Sequence, residues 1–141
     1  MPSNEKTYNS NLRREHFVSA VKKRFRSTKK CVPFDVICAA VATQPAPQFY
    51  VTTERALIMY QTYKRTGCIH TKTPLIRQMY EEIFRRFEEK LQSRGGRAFK
   101  FVAMQDTLSE QAPCFYIAPE KAQFYYYHSM AFCRKYKAQK K

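Results

Sequence analysis

The sequence predicts an all-α fold made from a tandem repeat of one unit: long helix, short apolar segment, extended Ala-Pro-x-Phe-Tyr lead-in, helix. Three observations predict it. A block is written twice, as Ala46-Pro47-Gln48-Phe49-Tyr50-Val51-Thr52-Thr53-Glu54-Arg55-Ala56 and, sixty-six residues on, Ala112-Pro113-Cys114-Phe115-Tyr116-Ile117-Ala118-Pro119-Glu120-Lys121-Ala122. Internal repetition of this kind fixes architecture before any local reading. The same shift aligns Phe17-Val18 with Ile83-Phe84, Val21 with Phe87, Phe25 with Leu91 and Tyr60 with Tyr126. Finally, three glycines against ten tyrosines and eleven phenylalanines favour helices joined by aromatic contacts over a turn-rich β fold.

In chain order, residues 1–10 read as a polar tail. Repeat unit 1 spans 11–66. Its first helix, from about Asn11 to Arg26, carries Phe17, Val18, Val21 and Phe25 on one stripe. The apolar run from Pro33 to Thr43 reads as a short buried helix, with a strand as the alternative. In the repeated block, Ala-Pro keeps the chain extended and Phe-Tyr-Val/Ile suits a segment pressed on a core. Thr52 then caps one helix, and Pro119 takes the first position of the other. Glu54 and Glu120 place negative charge in the two first turns. Phe49, Tyr50, Phe115 and Tyr116 are therefore the structural anchors of the repeat.

A connector, 67–73, leads into repeat unit 2 at 74–133. Thr73-Pro74 is a cap followed by proline, and the helix it opens runs to Gly95-Gly96 with Leu75, Ile76, Met79, Tyr80, Ile83, Phe87 and Leu91 on one face. Its other face alternates acids and bases four apart. A second apolar segment covers Phe99 to Leu108, and the last helix runs from Pro119 to about Tyr136, before a basic tail at 134–141. The two units are expected to pack as one domain, with a minimal two-stranded sheet between the Phe-Tyr segments left open.

The formal charge of +15 is large for 141 residues and makes an anionic partner the default expectation. The charge is uneven. Lys22, Lys23, Arg24, Arg26, Lys29 and Lys30 fall in one acid-free stretch, and Arg134, Lys135, Lys137, Lys140 and Lys141 in another. Phosphate-backbone binding needs such clustering, whereas a merely solvated surface intersperses the signs. Tyr63, Tyr125, Tyr127 and Tyr136 are candidates for stacking on exposed bases. Three successive tyrosines cannot all face one core from a helix, so at least one of Tyr125, Tyr126 and Tyr127 should point outward.

Other chemistry finds little footing. Cys68-Ile69-His70 and the set Cys114, His128 and Cys133 lack zinc-ligand spacing, so no metal is expected. Arg94-Gly95-Gly96-Arg97 reads as a helix stop before an RNA-binding element. No glycine-rich phosphate loop or hydrolase motif occurs, so the reading is non-enzymatic and without cofactor. Five cysteines without framework spacing point to a reducing compartment, and no apolar run reaches transmembrane length.

The block Ala-Pro-x-Phe-Tyr-Val/Ile-x-x-Glu-x-Ala resembles a motif of short, mostly uncharacterised proteins of Bacteroidetes and their phages or mobile elements. The resemblance covers the block alone, and a second copy departs from it. It implies no activity and no catalytic residue. It implies a bacterial cytoplasm or a phage-infected cell as the setting. The expected function is a small basic nucleic-acid-binding accessory factor, for DNA or RNA and without marked sequence preference. The alternative is an assembly or adaptor subunit that binds a protein partner, or its own copies, through aromatic helix faces. No membrane is expected as a partner.

Overall fold

The computed structural model describes residues 2–28, 31–71, 73–94 and 100–139, with side chains over 9–28, 31–71, 73–93 and 100–131. The regular elements of the described residues are helices: α1 (Pro2–Ser27), α2 (Phe34–Ala42), α3 (Thr53–Thr66), α4 (Pro74–Arg94), α5 (Lys100–Ser109) and α6 (Ala122–Gln139), with a 3₁₀ turn at Pro119–Lys121 leading into the last. None of the described helices is long and apolar enough to cross a membrane.

Each helix has local causes. Pro33, held extended, opens α2, and the Thr43 hydroxyl closes it by donating to the Ala40 carbonyl at 2.8 Å. The Thr52 hydroxyl accepts from the Arg55 N–H at 3.1 Å to cap α3. At the other end Gly67, at φ 76°, donates to the Tyr63 carbonyl at 2.7 Å, a left-handed stop that glycine takes without a Cβ clash. The Thr73 hydroxyl caps α4 by accepting from the Ile76 N–H at 3.3 Å.

Two expected boundaries are corrected and two open alternatives are decided. Residues 1–10 are not a tail: α1 begins at Pro2, since a proline is tolerated in the first turn and no glycine or second proline interrupts the chain before Ser27. Nor is 134–141 a tail from its start, because α6 continues through Gln139. Both short apolar segments are helices, α2 and α5, and their alanines suit that choice. The Phe-Tyr segments form no strand. They share one isolated antiparallel bridge, Ala46 with Ala112.

That bridge is the centre of the molecule. Ala46 N–H donates to the Ala112 carbonyl at 3.0 Å and Ala112 N–H to the Ala46 carbonyl at 2.9 Å. Phe49 N–H donates to the Leu108 carbonyl at 3.0 Å, and Phe115 N–H to the Ala42 carbonyl at 3.2 Å. Phe49 stacks on Tyr116 and Tyr50 on Phe115, each pair with ring centroids 6.3 Å apart. Every bond and stack in this seam has a counterpart reached by exchanging positions sixty-six apart, so the seam is symmetric under that exchange. Two backbones can touch here because Ala46 and Ala112 carry only a methyl, and both are buried.

The core grows outward from the seam. Phe17, Val18 and Val21 of α1 are buried, as are Ile83, Phe84 and Phe87 of α4. Ile37, Cys38, Val41 and Ala42 of α2 are matched by Ala103, Met104, Thr107 and Leu108 of α5. The buried Thr107 hydroxyl donates to the Ala103 carbonyl at 2.8 Å, which satisfies it inside its own helix. Tyr116, at φ 56°, departs from the symmetry of the seam: an aromatic residue there is strained, and Tyr50 does not share the conformation. One member of the expected stripe departs as well. Phe25 is 57% exposed, because α1 outruns the core by a turn beyond Val21.

Candidate nucleic-acid interface

The second half of α1 is where the sequence concentrates its cations, and Lys22, Lys23, Arg24 and Arg26 are all exposed there. None takes part in an ion pair among the described residues. A network of ion pairs lies instead on α4 and the elements against it. Lys64 meets Glu88 at 3.1 Å, Arg85 meets Glu82 and Glu89, Arg86 meets Glu82 and Glu110, and Lys90 meets Glu110 at 2.9 Å. Glu82, Glu88, Glu89 and Glu110 are thus engaged on the second half, while the exposed end of α1 is left positive. Hydrogen bonds from Arg85 and Arg86 hold the Glu82 carboxyl below its usual range, against the opposing effect of burial.

Helices α1 and α6 run side by side in the same direction. Arg13 Nε donates to the Tyr125 hydroxyl at 3.0 Å and Phe17 meets the Tyr125 ring edge-on, while Lys22, Phe25 and Arg26 line one groove with Tyr126, Met130 and Ala131 further along α6. The C-terminal ends of both helices therefore lie at one end of the molecule. The side chains of Arg134, Lys135, Tyr136 and Lys137, and both Lys29 and Lys30, lie outside the described residues. So do Cys133 and Gly95-Gly96.

The groove holds about 690 Å³. A ladder of rings lines it. Phe25 meets Phe34 edge-on at 5.9 Å, and Phe34 meets Tyr126 at 5.1 Å and Tyr127 at 5.9 Å. Of the three stacking candidates whose side chains are described, Tyr63, Tyr125 and Tyr127, only Tyr127 presents its ring outward, at 55% exposure. Tyr125 is half-buried against Phe17 and Arg13, and Tyr63 is half-buried and stacked on Phe84 at 5.3 Å. Phe25 and Phe34 were not among the candidates, since an apolar stripe and a helix start ordinarily mean core.

The corresponding place in the second half is built differently. Lys22 corresponds to Glu88, Phe25 to Leu91, Phe34 to Lys100, Tyr127 to Gln61 and Met130 to Lys64. There the Lys64–Glu88 ion pair spans from α3 to α4, and the Tyr60 hydroxyl donates to Glu88 at 3.3 Å. Burial, together with the Glu88 carboxylate, pushes the Tyr60 hydroxyl pKa up. With Lys22 and Met130 at the matching positions, the first-half groove has no such bridge. Comparing the charges of the two copies was the sequence signal that could have found it.

A second cleft, of about 480 Å³, opens beside the seam between α1, α3 and α4. Arg13, Tyr50, Arg55, Tyr80 and Cys114 line it. Next to it the Tyr50 hydroxyl and His16 Nδ1 share a hydrogen bond of 2.6 Å. Burial lowers the His16 pKa against the opposing Glu15 charge. Burial also raises the Tyr50 pKa, with Tyr125 adding to the rise and Arg13 opposing it. Both side chains are thus held neutral near pH 7. Among the described residues no three His, Cys, Asp or Glu side chains are grouped to hold a metal ion. Burial raises the Cys38 thiol to about 11, with Asp35 contributing, and raises Cys114 as well, so neither is an activated nucleophile. No protein-family model, curated protein or solved structure matches this chain.

Proposed function

We propose that this protein binds nucleic acid, mainly through the phosphate backbone, using the exposed end of α1. One observation carries the reading. The ion pairs described above lie on α4 and its neighbours, whereas Lys22, Lys23, Arg24 and Arg26 are exposed in a stretch of sequence that contains no acid. Unneutralised cations on one end give the field that a polyanion releases its counterions to meet. Lys29, Lys30, Arg134, Lys135 and Lys137 extend both basic stretches in sequence. Such contacts carry no base information, so sequence preference should be slight. The role is one of binding, not catalysis, and the motif resemblance fits an accessory factor of a phage or mobile element. We further infer that the two halves descend from one duplicated unit, supported by the exchange-symmetric seam and by the matching burial of α2 and α5.

The test is the salt dependence of binding to heterologous DNA and RNA. An affinity that falls steeply between about 50 and 200 mM salt supports the reading. A second reading, an assembly or adaptor subunit, draws on the apolar groove beside Phe25 and Tyr127. It gains if the protein binds neither nucleic acid at low salt and light scattering finds a stable oligomer.

A further inference from the structure

We propose that the groove between α1, α2 and α6 receives unpaired bases, so that this protein prefers single strands to duplex. The proposal rests on the nucleic-acid reading above and names the form of nucleic acid that the same end of the molecule would take. Two of its rings, Phe25 and Tyr127, are more than half exposed, and both pack on Phe34 behind them. An exposed ring backed by another ring is a rigid platform, and every base has a face that can stack on it. Lys22 and Arg26 stand on the groove's edge, in the acid-free stretch of α1, so a strand whose bases entered would have its phosphates beside cations. In a duplex the bases are already stacked on each other and offer no face to these rings.

The second half of the chain argues the same way by contrast. There the positions that match the three rings hold Leu91, Lys100 and Gln61, and a Lys64–Glu88 ion pair bridges the two helices. An apolar site serving only the core needs no ring at position 25, since Leu91 suffices at the matching position of the other half. Rings stand in place of leucine, glutamine and lysine in the half whose groove is edged by Lys22 and Arg26. That charge also argues against a second copy of this chain as the occupant, since two such ends would repel.

The experiment measures fluorescence anisotropy of labelled oligothymidylate and of a mixed-sequence duplex of equal length, with the intact protein and with Phe25→Leu/Tyr127→Gln. These substitutions import the residues of the other half at two exposed positions, and circular dichroism checks that the helices persist. The single strand should bind about tenfold or more tightly than the duplex, and the double variant should lose about tenfold on the single strand alone. Its salt slope should stay unchanged, because no phosphate contact is removed. Equal binding of both forms, untouched by the double variant, overturns the groove proposal and leaves the backbone reading standing. Absence of binding to either form at low salt overturns both. An oligomer that the double variant dissociates would make the groove a protein interface and overturn the proposal as well.

Discussion

His16 and Tyr50 meet across α1 and the first Phe-Tyr segment, imidazole Nδ1 to hydroxyl at 2.6 Å. Burial is the main reason that the His16 pKa lies below its ordinary 6.5 in the folded chain. In the unfolded chain it returns to 6.5, so between the two values the unfolded state binds more protons. The pair's stabilisation is therefore present above pH 6.5 and lost as pH falls through the folded value. Melting temperature should drop between pH 7.5 and 5.5, and His16→Gln should flatten that dependence. An identical pH dependence in the variant would remove His16 from the account. The Glu82 carboxyl, also lowered, acts below its ordinary 4.5 and so stays outside this window.

Phe49 and Phe115 are 2% and 3% exposed, and each stacks on the tyrosine of the other copy. Phe49→Ala and Phe115→Ala should each cost roughly 3–5 kcal/mol in urea unfolding. The two losses should be similar, because the cavities open in equivalent surroundings. A negligible change in either would mean that the seam tolerates its loss, and that the symmetry of the contacts does not extend to their energies.

The helical fold was legible because its signals are local: Thr52, Thr73 and Pro74 mark helix starts in the sequence and do so in the structure. The seam was half legible. The duplicated Ala-Pro-x-Phe-Tyr announced that something was built twice, but pairing Ala46 with Ala112 is a long-range choice that no spacing encodes. The groove was missed for a different reason. Periodicity assigns Phe25 to the buried stripe, and only the length of α1 relative to what packs on it decides that Phe25 emerges at the rim. Tyr63 and Tyr125, offered as stacking candidates, pack on Phe84 and Phe17, because which tyrosine of a run turns outward depends on tertiary partners that the run does not reveal.

Arg86 joins α4 to the seam. Its Nε donates to Glu82 at 2.8 Å, its Nη1 to the Gln111 carbonyl at 2.8 Å, and its guanidinium lies 5.2 Å from the centroid of the Phe49 ring. Arg86→Ala should cost about 1.5–3 kcal/mol, the range for hydrogen bonds to charged groups. Arg86→Lys should recover little of it, since an ammonium cannot reproduce the planar fork that serves both Glu82 and the Gln111 carbonyl. Arg85→Ala, one position away on the solvent side of α4, should barely move the midpoint. Equal effects of the two alanines in chemical denaturation would refute the junction.

The basic end of α1 makes the last prediction. Each phosphate neutralised adds about 0.9 to the log–log salt slope on duplex DNA. Changing Lys22, Lys23 and Arg24 together to glutamine should therefore lower that slope by about 2–3 and weaken binding on all sequences alike. These three side chains are exposed and off the Phe17, Val18 and Val21 stripe, so the helices should survive, with circular dichroism as the control. Arg85→Gln supplies the matching charge change on α4, where Glu82 and Glu89 already engage the guanidinium, and it should leave the slope alone. The site is falsified if the triple variant folds and binds with unchanged affinity and slope. A drop of the same size from Arg85→Gln would instead mean that net charge governs binding, and that the position of the cations on α1 does not.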